Sequence, residues 1–227
     1  MDGIYKASAV VLSYRRPRNV ERIVGELVAL DFVDEVVVWH NGPHEQPKLP
    51  MGGKCTMLAW GENKFVYARF LALRFCQHNI ILTVDDDCLV KNWRAILDEH
   101  LSHPEVVTAG LTPGHYNADK NNRWRTCHEI LLGWGACFDK RLVEPTLAKY
   151  IDVHGHDEIL HRKADRLFTM LLNRHHNVLK ADAEELPLAR DDDVALYRRE
   201  DHYPLTIEAR RRAWKILGMS PNDGATG

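Results

Sequence analysis

No stretch of about eighteen apolar residues occurs anywhere in the 227 residues, so no segment has the length and hydropathy of a helix that crosses a bilayer. The amino terminus lacks the basic-then-apolar order of a secretory leader, and the expected location is cytoplasmic. Cysteine is sparse and odd in number. Cys55, Cys76, Cys88, Cys127 and Cys137 form no Cys-x-x-Cys pair, which argues against a disulfide framework or a zinc site and leaves buried reduced thiols. Charge of one sign is also missing. A formal net charge of −2 gives no global attraction to nucleic acid, although arginines cluster at 15–18, 123–125, 198–199 and 210–212. Thirteen histidines are present, but neither His154 with His156 nor His175 with His176 has the i, i+4 spacing and neighbouring Glu of a helical zinc hydrolase site.

What is present begins with Ile80-Ile81-Leu82-Thr83-Val84-Asp85-Asp86-Asp87, a short apolar run that ends in three carboxylates. The run reads as a buried strand. Carboxylates stacked at its end repel one another, and a hard divalent cation, Mg²⁺ or Mn²⁺, would relieve that repulsion while sharing its shell with substrate phosphates. The competing reading is a solvated turn or a helix N-cap, because Asn92-Trp93-Arg94-Ala95-Ile96-Leu97 follows with helical character.

Around this run, strand-like and helix-like segments alternate. Ala7 to Leu12, Glu35 to Trp39 and Cys55 to Trp60 read as strands; Val20 to Leu30 and Phe65 to Phe75 read as helices. The alternation predicts an α/β architecture with a mostly parallel, helix-covered sheet. Ligands of such sheets bind at the carboxyl ends of strands where chain order reverses. Those ends carry Ser13-Tyr14-Arg15-Arg16, Asn41 and Asp85-Asp86-Asp87: an aromatic to stack on a base, guanidiniums for phosphate, an amide and carboxylates. As alternatives, the first is a solvated turn before Pro17 and Asn41-Gly42 a turn dipeptide.

The order Val10 to Pro17, Asp34 to Asn41, Asn63 with Ala68-Arg69, and Leu82 to Asp87 resembles a GT-A nucleotide-sugar glycosyltransferase, with the nearest likeness to the exostosin-type glycosyltransferase domain over roughly 7–140. The resemblance implies a metal-dependent hexosyltransferase, leaning to retention of configuration, with a Rossmann-like sheet in a single domain over 1–218. Residues 1–100 would bind the nucleotide-sugar, 101–218 would face the acceptor, and 219–227 would be a frayed tail. It places the Asp-x-Asp element on Asp85 and Asp87, with Asp87 on the metal, Asp85 on the metal or ribose and Asp86 between them. Tyr14, Arg15, Arg16, Asn41, Asn63 and Arg69 would contact the uridine diphosphate portion. His40 stands where the exostosin-type domain has Asn, and an Arg69 stem can also cover apolar helix surface.

In the second half, Gly133-Trp134-Gly135 is similar to the small-residue stretch that lines the donor sugar, where glycine admits close backbone approach and an indole face suits a hexose; a buried strand with a core Trp is the alternative. Lys163 to Asn173 reads as a polar start to an amphipathic helix. Asp165 is its catalytic candidate at the acceptor hydroxyl or a simple cap, with Asp157 and Glu158 as rivals. The resemblance to GT-A enzymes, which often draw a diphosphate clamp or a third metal ligand from a carboxy-terminal loop, makes Arg198 and His202, after a second triplet Asp191-Asp192-Asp193, candidates for those roles. Ile207 to Leu217 reads as an Arg-rich amphipathic helix. The acceptor could be a saccharide or another hydroxyl, including hydroxymethylated bases in DNA given the arginine clusters. A nucleotidyltransferase would want a Gly-rich phosphate loop, and Leu12 to Arg16 contains no glycine. A non-catalytic nucleotide-sugar-binding module is the remaining reading.

Overall fold

The computed structural model describes residues 5–50, 53–111, 129–180, 182–189 and 196–219. The arginines at 123–125, Cys127, the triplet Asp191-Asp192-Asp193 and residues 220–227 of the expected tail lie outside these.

Strand β1 (Ala7–Ser13) is buried at every position, as expected of an inner parallel strand covered on both faces. Pro17 then opens α1 (Pro17–Val28) at a position where its missing N–H costs nothing, and Val20, Ile23, Val24 and Leu27 form the buried stripe. β2 (Val33–Asn41) and β3 (Cys55–Trp60) pair parallel outward from β1, with β3 at the edge. A short helix α2 (Ala68–Ala72), flanked by single 3₁₀ turns, returns the chain to the other side of β1, where β4 (Ile80–Val84) also pairs parallel. The remaining described elements are β5 (Cys88–Val90), α3 (Trp93–Ser102), β6 (Thr108–Leu111), β7 (Ala136–Asp139), α4 (Val143–His154), α5 (Glu158–Leu172), β8 (Asn177–Lys180), β9 (Ala183–Glu185) and α6 (His202–Leu217).

The main sheet has seven strands in the order β3-β2-β1-β4-β7-β6-β8. β7 runs antiparallel to both neighbours, and the other pairings are parallel. Alternate side chains divide the core between two faces. Val10, Val37, Ile81 and Phe138 pack with α2, α4, α5 and α6, while Ala9, Val36, Leu82 and Cys137 pack with α1 and α3. Chain order reverses between β1 and β4. The register Val11↔Val84 carries the two chains out of the sheet side by side, so Tyr14 to Arg16 emerge next to Asp85 to Asp87.

Three expectations about elements change. The triplet is followed by β5, which pairs antiparallel with β9, so Asp85 to Asp87 do not cap a helix. Helix α5 begins at Glu158, because Asp157 accepts from the Leu160 amide and supplies the cap; Asp165 therefore stands inside the helix, just past a break in helical backbone at Lys163 (φ −131°, ψ 19°). Helix α6 starts at His202 instead of Ile207, with Pro204 in its first turn, where no intrahelical partner exists for an N–H. Among the described cysteines Cys76, Cys88 and Cys137 are buried and Cys55 is partly so; all are free thiols, and burial raises their pKa values.

Candidate active site

A cleft of about 660 Å³ opens at the carboxyl ends of β1, β2 and β4. Its floor is acidic. Asp85 and Asp87 are partly open to the cleft, with side chains 30% and 25% exposed, whereas Asp86 is buried. The strand ends at Val84 and the chain turns at Asp86 and Asp87. Asp86 points inward, where it accepts from the Tyr14 amide and pairs with Arg16, and burial pushes its carboxyl up to about 6 against the pull of that arginine. Arg16 is itself buried and also donates to the Leu188 carbonyl at 3.0 Å. Asn19 donates to the Asp86 carbonyl at 2.9 Å and the Pro187 carbonyl at 2.8 Å. The Leu186 amide donates to the Asp87 carbonyl at 2.8 Å, so the carboxy-terminal segment straps the triplet in place. Burial, together with Asp85 and Asp86, raises the Asp87 carboxyl well above the ordinary carboxylate range.

Arg69 does not reach the cleft. It is fully buried beneath the floor and forks between Asp85 (Nη2 to Oδ1, 2.8 Å) and both oxygens of Asp165 (3.1 Å each), with Nη1 on the Thr83 hydroxyl at 2.6 Å. The expectation that Arg69 contacts the nucleotide is corrected on this ground. Asp165 lines the cleft, and burial lifts its carboxyl above the usual range while Arg69 draws it down. The rivals lie elsewhere: Asp157 is occupied by Tyr150, Arg212 and the α5 cap, and Glu158 by Arg162; neither lines the cleft.

Tyr14, Asn41 and Asn63 line one end. Asn41 is heavily used: its oxygen accepts from the Lys64 amide (3.0 Å) and Trp39 Nε1 (3.2 Å), and its amide donates to the Phe65 carbonyl (3.2 Å). Asn63 accepts from the Phe65 amide at 2.8 Å. The two asparagines thereby hold Phe65 at φ +52°, a conformation costly for an aromatic residue and a mark of a constrained site wall. Arg15, at φ +60°, lies outside the cleft, exposed, over the Tyr14 ring and donating to His44 Nε2 at 3.3 Å. Gly133 and Trp134 line the cleft. A Cβ on Gly133 would lie 2.1 Å from Asp85 Oδ2, and the Gly133 carbonyl accepts from the Asp85 amide at 2.9 Å. Gly135 is not a lining residue; φ +99° and close contact with Val90 are what require glycine there.

A basic wall adjoins these residues, with Arg162 over the Phe65 ring, and sequence reasoning missed most of it. Arg162, Lys163 and Arg166 on α5 join Arg198 and His202. Arg162 is paired with Asp201 and Glu158, and Arg166 with Glu129. Lys163 is buried and meets His202 Nδ1 at 3.0 Å; burial and Arg162 lower its pKa to about 8. His202 is lowered to about 4 by burial and by Lys163 and Arg166, with its ring also hydrogen-bonded to the Leu196 backbone. The structure does not bring His202 together with Asp85 and Asp87 as a third metal ligand: its Nδ1 meets Lys163, and no such group of three occurs among the described residues. The run Arg162-Lys163-Ala164-Asp165-Arg166 was the available signal, since i, i+4 spacing puts Arg162 and Arg166 on one helix face.

Metal fit follows from this charge balance. Four carboxyl groups, Asp85, Asp86, Asp87 and Asp165, meet only two guanidiniums, Arg16 and Arg69, and this crowding, which helps to raise the Asp87 carboxyl, is what a bound cation would relieve. Asp85 and Asp87 offer hard oxygens toward the cleft. No group of three His, Cys, Asp or Glu that could cage a metal occurs among the described residues. That combination suits Mg²⁺ or Mn²⁺, which binds through one or two carboxylates and completes its shell with waters and substrate phosphates.

No family model and no curated protein matches the sequence. Solved structures do. S. aureus TarS 1-349 in complex with UDP-GlcNAc aligns with a TM-score of 0.56 and 19% identity over 91% of this chain and 66% of that one. The chain spans 45% of a longer TarS structure. Glucosyl-3-phosphoglycerate synthase from Mycobacterium tuberculosis with Mn²⁺, UDP-Glc and phosphoglyceric acid aligns at 0.54 and 11% identity over 95% of this chain and 81% of that one. A protein assigned as a glucose-1-phosphate thymidylyltransferase from Bacillus anthracis aligns at 0.51 and 11% identity, covering 85% and 95%. Taken with the seven-stranded, mostly parallel sheet between helical layers, these likenesses show that the chain has the α/β GT-A fold.

Proposed function

We propose that the chain is a metal-dependent glycosyltransferase that moves a sugar from a UDP-sugar to an acceptor hydroxyl. The observation that carries this reading is the make-up of the cleft: carboxyl groups in excess of their guanidinium partners at the switch point of the sheet, lining the same cleft as Arg162, Lys163, Arg166 and Arg198. A Mg²⁺- or Mn²⁺-diphosphate is the ligand whose charges match both. Asp87 and Asp85 would hold the cation, which supplies Lewis-acid neutralisation of charge on the departing diphosphate. Lys163, Arg198 and the neighbouring arginines would meet the phosphate oxygens in a preorganised setting. Tyr14, Asn41 and Asn63 would bind the nucleoside, and Gly133 and Trp134 the sugar. Asp165 would orient or deprotonate the acceptor hydroxyl. On this reading residues 1–100 supply the nucleotide side and α5 and α6 the basic wall. Two of the similar structures, TarS with UDP-GlcNAc and the phosphoglycerate synthase with Mn²⁺ and UDP-Glc, support the donor and metal.

The thymidylyltransferase likeness favours nucleotidyl transfer as the second reading. It loses ground at Ser13-Tyr14-Arg15-Arg16, where no glycine gives a phosphate-cradling loop and Arg16 is committed to Asp86. A DNA acceptor has no counterpart among the similar structures, and in the cluster on α6 Arg210, Arg211 and Arg212 are each paired with a carboxylate of the same chain. Thermal-shift titration with a panel of nucleotide-sugars, with and without Mn²⁺, tests the proposal. At least one UDP-sugar should raise the Tm only with metal, and Asp87→Ala should abolish the rise. The absence of any nucleotide-dependent shift would sink it.

A further inference from the structure

Arg69 is a fully buried cation on a helix whose other buried residues, Ala68, Phe70 and Ala72, are apolar. A guanidinium in that position is unfavourable unless its donors are met, and a hydrophobic side chain could fill the same volume. Its donors are divided between two carboxylates that stand on opposite sides of the proposed reaction. Nε and Nη2 take the two oxygens of Asp165, and the same Nη2 takes Asp85. Nη1 is anchored on Thr83, two residues before Asp85 on β4. Asp85 is fixed from above as well, since its amide donates to the Gly133 carbonyl and its carboxylate fills the space that a Gly133 side chain would occupy.

We infer that Arg69 is a positioning residue that sets the orientation of Asp165, and its distance from Asp85, without touching either substrate. The assignment rests on the glycosyl-transfer reading above, in which Asp85 serves the donor and Asp165 the acceptor. Unbridged, the two carboxylates would repel and separate; the planar fork holds both in one geometry, which a lysine's point charge on a flexible stem does not reproduce. Removing the fork should therefore leave donor binding in place and slow turnover, because misplacement of a reacting group by about 1 Å can cost on the order of 100-fold in rate.

The experiment compares wild type, Arg69→Lys and Thr83→Val by two readouts: the Mn²⁺-dependent thermal shift with UDP, and UDP release from UDP-glucose and UDP-GlcNAc with water as acceptor. Arg69→Lys should keep the wild-type shift and a KM within about twofold while kcat falls on the order of 100-fold; Thr83→Val, which loosens one anchor, should show the same split at about tenfold. Unchanged kcat in Arg69→Lys would make Arg69 a core residue only and overturn the inference. Parallel loss of shift and rate would make it a donor contact and overturn it equally. Should Arg69→Lys not fold, Thr83→Val decides, with unchanged kcat as the contrary result. A wild type that shows neither shift nor release is a different failure, sinking the donor-site reading and this assignment together.

Discussion

At the scale of single residues, the acidic triplet shows how far a sequence pattern carries. The turn after β4 separates the buried Asp86 from the partly exposed Asp85 and Asp87, and the buried residue is the one that Arg16 neutralises. Nothing local in the sequence announces that Arg69, six residues past Asn63, lies under the floor instead of in the cleft, because its partners Asp85 and Asp165 come from distant strand and helix positions. Lys163 escaped notice for the same reason. Its neighbours in the fold are Arg162 and Arg166 on α5 and His202 and Asp201 at the start of α6, and only this company makes it a strained cation. Its pKa falls from the ordinary 10.5 to about 8. Between those values the unfolded chain binds more protons than the folded one, so stability rises with pH there, and below about 8 the folded state carries the full cost. Lys163→Met should raise the Tm at pH 7, by about 2–4 °C for each kcal/mol relieved, flatten the rise between pH 8 and 10.5, and weaken UDP binding. Thermal melts across that pH range check it; a lower Tm at pH 7 would show that the amine is stabilising.

At the scale of elements, the first half of the fold was legible because its strands are short apolar runs bounded by turn residues, whether buried as β1 is or at the sheet edge as β3 is. Cys55–Trp60 and Ile80–Val84 stand where the apolar runs place them. The second half was less so. Helix α5 extends back to Glu158 because Asp157 caps it, and the polar residues Arg162, Lys163 and Asp165, which read as a helix start, are buried inside it. The small pairing of β5 with β9, which straps the triplet, joins residues about a hundred positions apart and leaves no periodic trace. The segment before β7 shows how tightly these elements fit. Gly133→Ala would drive its Cβ into the Asp85 carboxylate, 2.1 Å away in the present geometry, while leaving the buried strands untouched. The expected outcome is a folded protein that has lost the Mn²⁺-dependent shift with UDP, checked by thermal shift alongside circular dichroism. A variant that keeps the metal response would show that Asp85 is free to move and does not hold the cation.

At the scale of the whole molecule, near-neutral net charge hides a strongly polarised centre. Carboxylates gather where β1 and β4 diverge, cations gather on α5 and just before α6, and both line one cleft. The fold explains why: only the switch point of the sheet brings two strand ends together with no crossover covering them. On α6, Arg210 is matched by Glu129 and Arg212 by Asp157 and Glu208, so that arginine cluster serves the fold. The central claim is that this polarity exists to hold a metal-bound diphosphate while a sugar leaves it. Its most direct test is product identity. Wild type incubated with Mn²⁺ and UDP-sugars should release UDP, EDTA should stop the release, and Asp87→Ala should lower it by at least about 100-fold. Pyrophosphate formed from a nucleoside triphosphate and a sugar phosphate, with no UDP from any UDP-sugar, would contradict glycosyl transfer and assign the same cleft to nucleotidyl transfer.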